Sequence, residues 1–323
     1  MKIDLFNPEY IYGSFSTEKK ERGIFFHRMT PELEDFYRYS EAAEIRAMNT
    51  SGVRICFLSD TSSLSISGSF GRVSRNIYSF DIIAGNEMIT LKPDQEKPET
   101  FSLAAALPGI GLRRIEIFLP NMAETFMESV EIDEGSKIMP VSRPESKWLF
   151  LGDSITQGMT VSSPSLSYAA RTARALECDW QNIAVGGAVM RQEVGEMALA
   201  LEWDNVSIAY GVNDFAQNIP IEQLVDNTKG LLHALTSRND SKIFLITPVP
   251  WVGRTEPNTL GLRLEEYRKA IVVAASSFGS VTVINGLEIL PDDSKYFVDN
   301  IHPNDDGMKE YSAWLLEKVL TND

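Results

Sequence analysis

The sequence predicts a two-part α/β protein: an antiparallel β-sandwich or jelly roll, then a domain built on a parallel sheet with helices on both faces. Three observations lead there. Residues 53–132 carry short runs of strand character separated by turn signals. From residue 147 onward, apolar runs of four or five residues alternate with stretches of helical period. Between them, EGSKIMPVSRPE (134–145) holds a glycine and two prolines. The expected boundaries are 1–135 for the β domain, 136–146 for a linker and 147–323 for the α/β domain.

In the first part, 53–59 (VRICFLS) reads as a strand. Residues 63–70 (SLSISGSF) alternate polar and apolar with the period of two expected of a half-buried strand. Runs 79–84, 88–91, 114–119 and 128–132 continue the series, and Gly85-Asn86 and Pro108-Gly109 supply turns. A helical turn is expected near 31–39, and the charged, Pro-containing 92–99 reads as an exposed loop. In the second part the strands are expected at 148–151, 181–184, 206–210, 243–247 and 281–284, with helices over 164–176, 221–236, 262–277 and 305–320. Ser163-Pro164 has the chemistry of a helix N-cap and first residue, and Asn304 with Asp305 and Asp306 suits another helix start.

At 323 residues and 43% hydrophobic content, the chain can bury a sizeable core. Its net charge of −15 argues against a nucleic-acid or anionic-membrane surface, since both need clustered Lys and Arg. No run approaches the ~18 apolar residues of a membrane span. The opening MKIDLFNPEY lacks the apolar stretch of a secretory signal, so a cytoplasmic location is expected. Cys56 and Cys178 form neither a disulfide framework nor a zinc pattern and read as buried thiols.

The chemistry-bearing residues fall at strand ends. WLFLGDSITQG (148–158) is an apolar strand that stops at Gly152 and delivers Ser154 in a turn. In isolation Ser154 reads as a helix-capping residue. A hydroxyl becomes a useful nucleophile only when a base takes its proton, and His is the usual base near neutral pH. Of three histidines, His27 lies in the β domain and His233 in mid-helix. His302 follows the fifth strand, with Asp299 three residues earlier, close enough to bond the imidazole and fix its tautomer. Open parallel sheets place their sites beyond the carboxyl ends of the strands. Two more segments reach that edge: Ala184-Val185-Gly186-Gly187-Ala188 and Gly211-Val212-Asn213-Asp214. A glycine N–H and an Asn amide are suited to stabilise an oxyanion, although each segment taken singly reads as an ordinary turn.

Gly152-Asp153-Ser154-Ile155-Thr156, then Gly187, then Gly211-Val212-Asn213-Asp214, then Asp299-x-x-His302, resemble the four ordered blocks of the SGNH (GDSL) hydrolase superfamily. The resemblance spans 147–320 and implies a flavodoxin-like three-layer α/β/α domain. It implies Ser154 as nucleophile, His302 as base and Asp299 as the orienting carboxylate. The oxyanion donors would be the Ser154 N–H, the Gly187 N–H and the Asn213 side chain. Gly187 is preferred to Gly186 because it lies five residues after Asn182, as in the family's second block. The added β domain resembles that of two-domain SGNH esterases, several of which remove acetyl groups from sugars. No metal and no cofactor are implied. The chain lacks the G-x-S-x-G elbow of α/β-hydrolases and a G-x-G-x-x-G after a strand.

The expected function is a serine esterase acting through an acyl-enzyme on small acyl esters, acetyl favoured, of a small-molecule or oligosaccharide substrate. Trp251, after the fourth strand, could wall the acyl pocket or stack on a sugar; a packing role is equally open. Asp153 reads as structural, Met190 and Met197 as core, and Arg191 as a solvated helix residue. The rivals are a lipase, lysophospholipase or thioesterase, and a non-catalytic carbohydrate-binding protein. Self-association into a homo-oligomer is compatible with the sequence and not dictated by it.

Overall fold

In the computed structural model, which describes residues 1–238 and 241–321, eleven strands precede the parallel sheet. They are β1 (Ile11–Tyr12), β2 (Ser16–Lys20), β3 (Gly23–His27), β4 (Arg54–Ser59), β5 (Ser63–Val73), β6 (Phe80–Ala84), β7 (Glu87–Leu91), β8 (Thr100–Ala106), β9 (Arg113–Phe118), β10 (Ala123–Ile132) and β11 (Ile138–Met139). One antiparallel sheet runs β1-β4-β9-β6-β7 with β11 beside β4; the other runs β2-β3-β10-β5-β8. Ile55, Phe57, Ile82, Ile115 and Ile117 of the first sheet share one buried cluster with Leu64, Ile66, Phe101, Met127 and Val130 of the second. This is the inward half of each alternating strand, packed as a sandwich. Phe70, Phe80 and Phe101 meet at its centre, with centroids 4.8 Å apart for the Phe70–Phe101 and Phe80–Phe101 pairs.

Segment 136–146 is not a free linker. Ile138 and Met139 pair antiparallel with Ser59 and Leu58. The Tyr12 hydroxyl donates to Val141 O at 2.9 Å, and the Arg143 guanidinium lies 4.0 Å from the Tyr12 ring centroid. The prolines there end the strand, but the backbone between them still finds partners. The chain divides into two compact units, the first being Met1–Glu145 with Ser162–Leu166 and Asp179–Gln181, the second Ser146–Val161, Ser167–Cys178 and the chain from Asn182 on. Within the first unit, Ser165 N–H donates to Asp81 at 2.8 Å. The Arg54 guanidinium stacks 4.1 Å from the Trp180 ring.

The parallel sheet comprises β12 (Lys147–Gly152), β13 (Asp179–Asn182), β14 (Asn205–Ala209), β15 (Lys242–Ile246) and β16 (Val281–Ile284) in the order β13-β12-β14-β15-β16. This is the 2-1-3-4-5 order of flavodoxin-like folds, whose switch point lies between the first and third strands. β12 is buried from Trp148 to Gly152, as a central parallel strand covered on both faces must be. Trp148 stacks on Phe244 at 5.5 Å. The helices are Tyr168–Ala175, Ile221–Leu235, Leu264–Ala275 and Asp305–Thr321, with shorter ones at Gln192–Ala198, Val212–Ala216 and Gly286–Ile289.

Several boundaries differ from expectation, among them β10, which begins at Ala123 and not at 128, and two in the second part. Pro164–Leu166 forms a 3-10 turn, and the α-helix after it is capped by Ser167, whose hydroxyl accepts from Ala170 N–H. Ser163 is therefore not its N-cap. β13 runs Asp179–Asn182, two residues earlier at both ends than the expected 181–184. Cys56 and Cys178 are free and buried, and burial pushes the Cys56 thiol up to about 12. Among the described residues, no helix is long and apolar enough to cross a membrane.

Candidate active site

Ser154 is the first residue of the four-residue helix Ser154–Gln157 that follows β12. Asp153 caps it, its Oδ1 accepting from Ile155 N–H at 2.9 Å, and Gly158, with φ of 76°, closes it. The sharpness of the turn explains Gly152. A Cβ there would collide with the Thr156 hydroxyl and lie 2.8 Å from Ala209 O of the neighbouring strand. Only glycine lets the chain pass that close.

The Ser154 hydroxyl lies 2.8 Å from His302 Nε2. On the far side of the ring, His302 Nδ1 is 2.9 Å from both oxygens of Asp299. That carboxylate also accepts from the backbone N–H of His302 at 2.9 Å and of Ile301 at 3.3 Å. The loop is a tight reversal, with Phe297 bridging Pro303 and Val298 N–H donating to His302 O at 2.9 Å. Asn300 takes the left-handed turn position with φ of 65°, which Asn tolerates better than most residues. Burial alone would raise the Asp299 carboxyl; the N–H donors of His302, backbone and ring, outweigh it and hold it below its usual range. A hydroxyl, an imidazole and an ionised carboxylate in this order can pass a proton from oxygen to ring nitrogen while the carboxylate stabilises the resulting cation.

Side-chain hydrogen bonds hold the strand-end loops in register. Gln157 Oε1 accepts from Gly186 N–H at 2.8 Å, and Asn182 Nδ2 donates to Thr156 O at 2.8 Å. Gln217 Nε2 donates to Gly187 O at 2.7 Å. Both Asp214 oxygens accept from Met190 N–H, at 3.1 and 3.2 Å. Gly186 N–H is thus spent on structure. Gly187, with φ of 80°, has an N–H with no acceptor among the described residues, as has Ser154. The Asn213 amide nitrogen lies 3.3 Å from Asp153 Oδ2 and 3.1 Å from Ala188 O. The bond to Asp153 is the longer of the two.

The structure brings Ser154, His302 and Asp299 into contact; the loop-tying roles of Gln157, Asn182, Asp214 and Gln217 were not anticipated from the sequence. Only Gln157 stands next to a glycine, Gly158; the other three carry no local mark beyond a polar residue in or after a strand-end segment. Asp153 and Asp214 are both almost fully buried. Burial pushes each carboxyl up to about 7 against the pull of backbone N–H donors, and the Asp214 charge adds to the rise at Asp153.

Trp251 is half-buried, its ring edge-on to Phe215 at 5.8 Å. Phe215 belongs to the same short helix, Val212–Ala216, as Asn213. Arg191 pairs with Glu193 at 3.2 Å, and Met190 is buried. Among the described residues, no group of three or more His, Cys, Asp or Glu side chains is arranged to hold a metal ion.

A flavodoxin-like sheet with Ser154 after its first strand and Asp299-x-x-His302 after its last is the frame of an α/β acylhydrolase, and the sequence comparison agrees with that class. Residues 150–310 match the model of the GDSL-like lipase/acylhydrolase family; the chain belongs to that family and is a carboxylic ester hydrolase. No curated protein sequence matches it. Among solved structures, it is similar to the salicylyl-acyltransferase SsfX3 of a tetracycline biosynthetic pathway, with a TM-score of 0.86 at 18% identity over 99% of this chain and 97% of that one. A GDSL-like lipase from Bacteroides ovatus gives 0.77 at 19% identity, covering 96% and 95%. The acetyl xylan esterase Est2A from Butyrivibrio proteoclasticus gives 0.64 at 14% identity, covering 100% and 98%. These likenesses establish a shared fold, β domain included.

Proposed function

We propose that this protein is a serine esterase that removes small acyl groups, acetyl foremost, from carbohydrate through an acyl-enzyme on Ser154. His302 Nε2 takes the Ser154 proton as Oγ attacks the ester carbonyl carbon. Asp299 holds the other ring nitrogen. The oxyanion is bound by the Ser154 N–H, the Gly187 N–H and the Asn213 amide, which turns from Asp153. The C–O bond to the alcohol then breaks, and the leaving oxygen takes the proton from His302. Water, deprotonated by His302, attacks the acyl carbon; the bond to Ser154 Oγ breaks, Oγ takes the proton back from His302, and the acid leaves.

The observation that carries this reading is the unbroken Ser154–His302–Asp299 chain, with contacts of 2.8 and 2.9 Å. The acetyl and sugar parts draw support from the acetyl xylan esterase, which matches along almost its whole length. Trp251 would wall the site on the Asn213 side. The two buried thiols accord with a cytoplasmic setting, which cell fractionation tests. An acetate-release screen over acetylated oligosaccharides, with Ser154→Ala as blank, tests the main claim. A p-nitrophenyl ester series rising in rate from acetyl to long acyl chains would contradict it in favour of a lipase-like enzyme.

A second reading is acyl transfer to an alcohol acceptor instead of water, favoured by the acyltransferase with a TM-score of 0.86. Product partitioning between free acid and a new ester, measured with added alcohols, separates the two.

A further inference from the structure

The turn bonded to the His302 loop carries a cation that neither the proton relay nor the oxyanion donors use. After β15 the chain turns at Trp251-Val252-Gly253-Arg254, closed by Arg254 N–H donating to Trp251 O at 3.0 Å. Gly253, with φ of 71°, makes the turn possible. Two anchors fix it. Val252 N–H donates to Asn300 O at 2.8 Å, inside the loop that holds Asp299 and His302. The Trp251 ring packs on Phe215, two residues from Asn213. The Arg254 guanidinium rests over both rings, 5.4 Å from the Trp251 centroid and 5.5 Å from that of Phe215. Arg254 is exposed. Among the described residues no carboxylate lies within ion-pair distance of it.

The chain carries a net charge of −15, so its general field repels anions. A cation between the Asn213 helix and the His302 loop, held by two rings and left without a counter-ion, reverses that locally. The planar guanidinium fork matches a carboxylate in two parallel hydrogen bonds. Stacking on the rings limits the freedom it would lose on binding.

We propose that Arg254 is a specificity-determining residue that selects esters whose alcohol part bears a carboxylate close to the acylated hydroxyl, such as an O-acetylated uronate within an oligosaccharide. This rests on the esterase reading above and narrows its substrate class. Trp251 would carry the sugar face and Arg254 the acid group.

The test compares kcat/KM on an O-acetylated uronate oligosaccharide with that on its carboxyl-reduced, neutral counterpart. The wild type is expected to favour the charged substrate by ~10-fold or more, the scale of a charge-assisted hydrogen bond. The preference should shrink as salt rises. In Arg254→Gln the ratio falls toward one, chiefly through KM; Arg254→Lys retains part of it. In a Ser154→Ala background, calorimetry should show weaker binding of the uronate oligosaccharide once Arg254 is also changed to Gln. Ester hydrolysis with no charge preference, or an Arg254→Gln variant that loses both substrates equally, overturns this proposal and leaves the esterase reading intact. Inertness toward p-nitrophenyl acetate and all acetylated sugars overturns both.

Discussion

Ser154 is 5% exposed, and Gly152, Asp153, Thr156 and Gln157 around it are buried, whereas the side chains of its partners His302 and Asp299 are 17% and 43% exposed. The serine turn is fixed by tertiary packing: a glycine pressed against the next strand, a capping Asp, and Gln157 and Asn182 bonding it to the following loop. The histidine loop is fixed mainly at short range, through a tight reversal and four contacts between Asp299 and the two residues ending at His302, with one bond from outside, Val252 N–H to Asn300 O. The difference teaches that a triad can join a rigid half to a locally determined half. Substitutions on the serine side should therefore cost stability as well as rate, and those on the histidine side rate alone.

The largest effect on the exposed side is expected from Asp299→Asn, which removes the charge that fixes the imidazole. Its kcat should fall by about 10⁴-fold, with a loss of stability no greater than ~1 kcal/mol, as for a partly exposed ion pair. Thermal unfolding beside kinetics checks this; a large drop in Tm would break the contrast. Asn213→Ala should lower kcat by about 10²–10³ if the amide meets the oxyanion. A much smaller loss would take it out of that role and leave it only the bonds to Asp153 and Ala188. Gly152→Ala should destabilise by about 1–3 kcal/mol or more, because the obstructing Ala209 O belongs to the backbone and cannot swing aside. An unchanged Tm would show the serine turn to be looser than described.

The smallest effect is a slope. Asp214, held up to about 7 by burial, binds its proton more tightly folded than unfolded, where a carboxyl titrates near ~3.9. Its contribution is therefore fully present below ~4 and is lost as pH rises through about 7. Asp214→Asn should flatten the fall in stability across that window, read by denaturant titration at several pH values. A parallel pair of curves would mean that Asp214 is as ionisable folded as unfolded.

The same contrast governs what could be read in advance. Asp299 and His302 were legible because their relation is local, three residues apart in one loop. Ser154, Gly187 and Asn213 were legible as strand-end residues once the alternation of strands and helices placed those ends on one edge. Gln157, Asn182 and Gln217 were not, since each acts on a loop from another part of the chain and leaves no periodic trace. Helix Gln192–Ala198 escaped notice because it is short and contains Gly195, whose missing Cβ makes room for Leu231 of the neighbouring helix. In the β domain, β2 (STEKK) is an edge strand with no fully buried residue. Charged edge strands lack the apolar alternation that marks half-buried ones. Segment 136–146 read as a linker from its prolines, because proline content reports where a strand stops and says nothing of the two residues, Ile138 and Met139, that pair before it does.

The central claim is that the buried serine, activated by the His302–Asp299 pair, carries the acyl group. The most direct measurement is rapid acid quench of the enzyme with an activated acetyl ester, followed by mass analysis of the peptide containing Ser154. A mass increment of one acetyl group on Ser154, absent in Ser154→Ala and decaying at the rate of steady-state turnover or faster, is the predicted result. Full hydrolytic activity in Ser154→Ala, or turnover with the label on another residue, would contradict it.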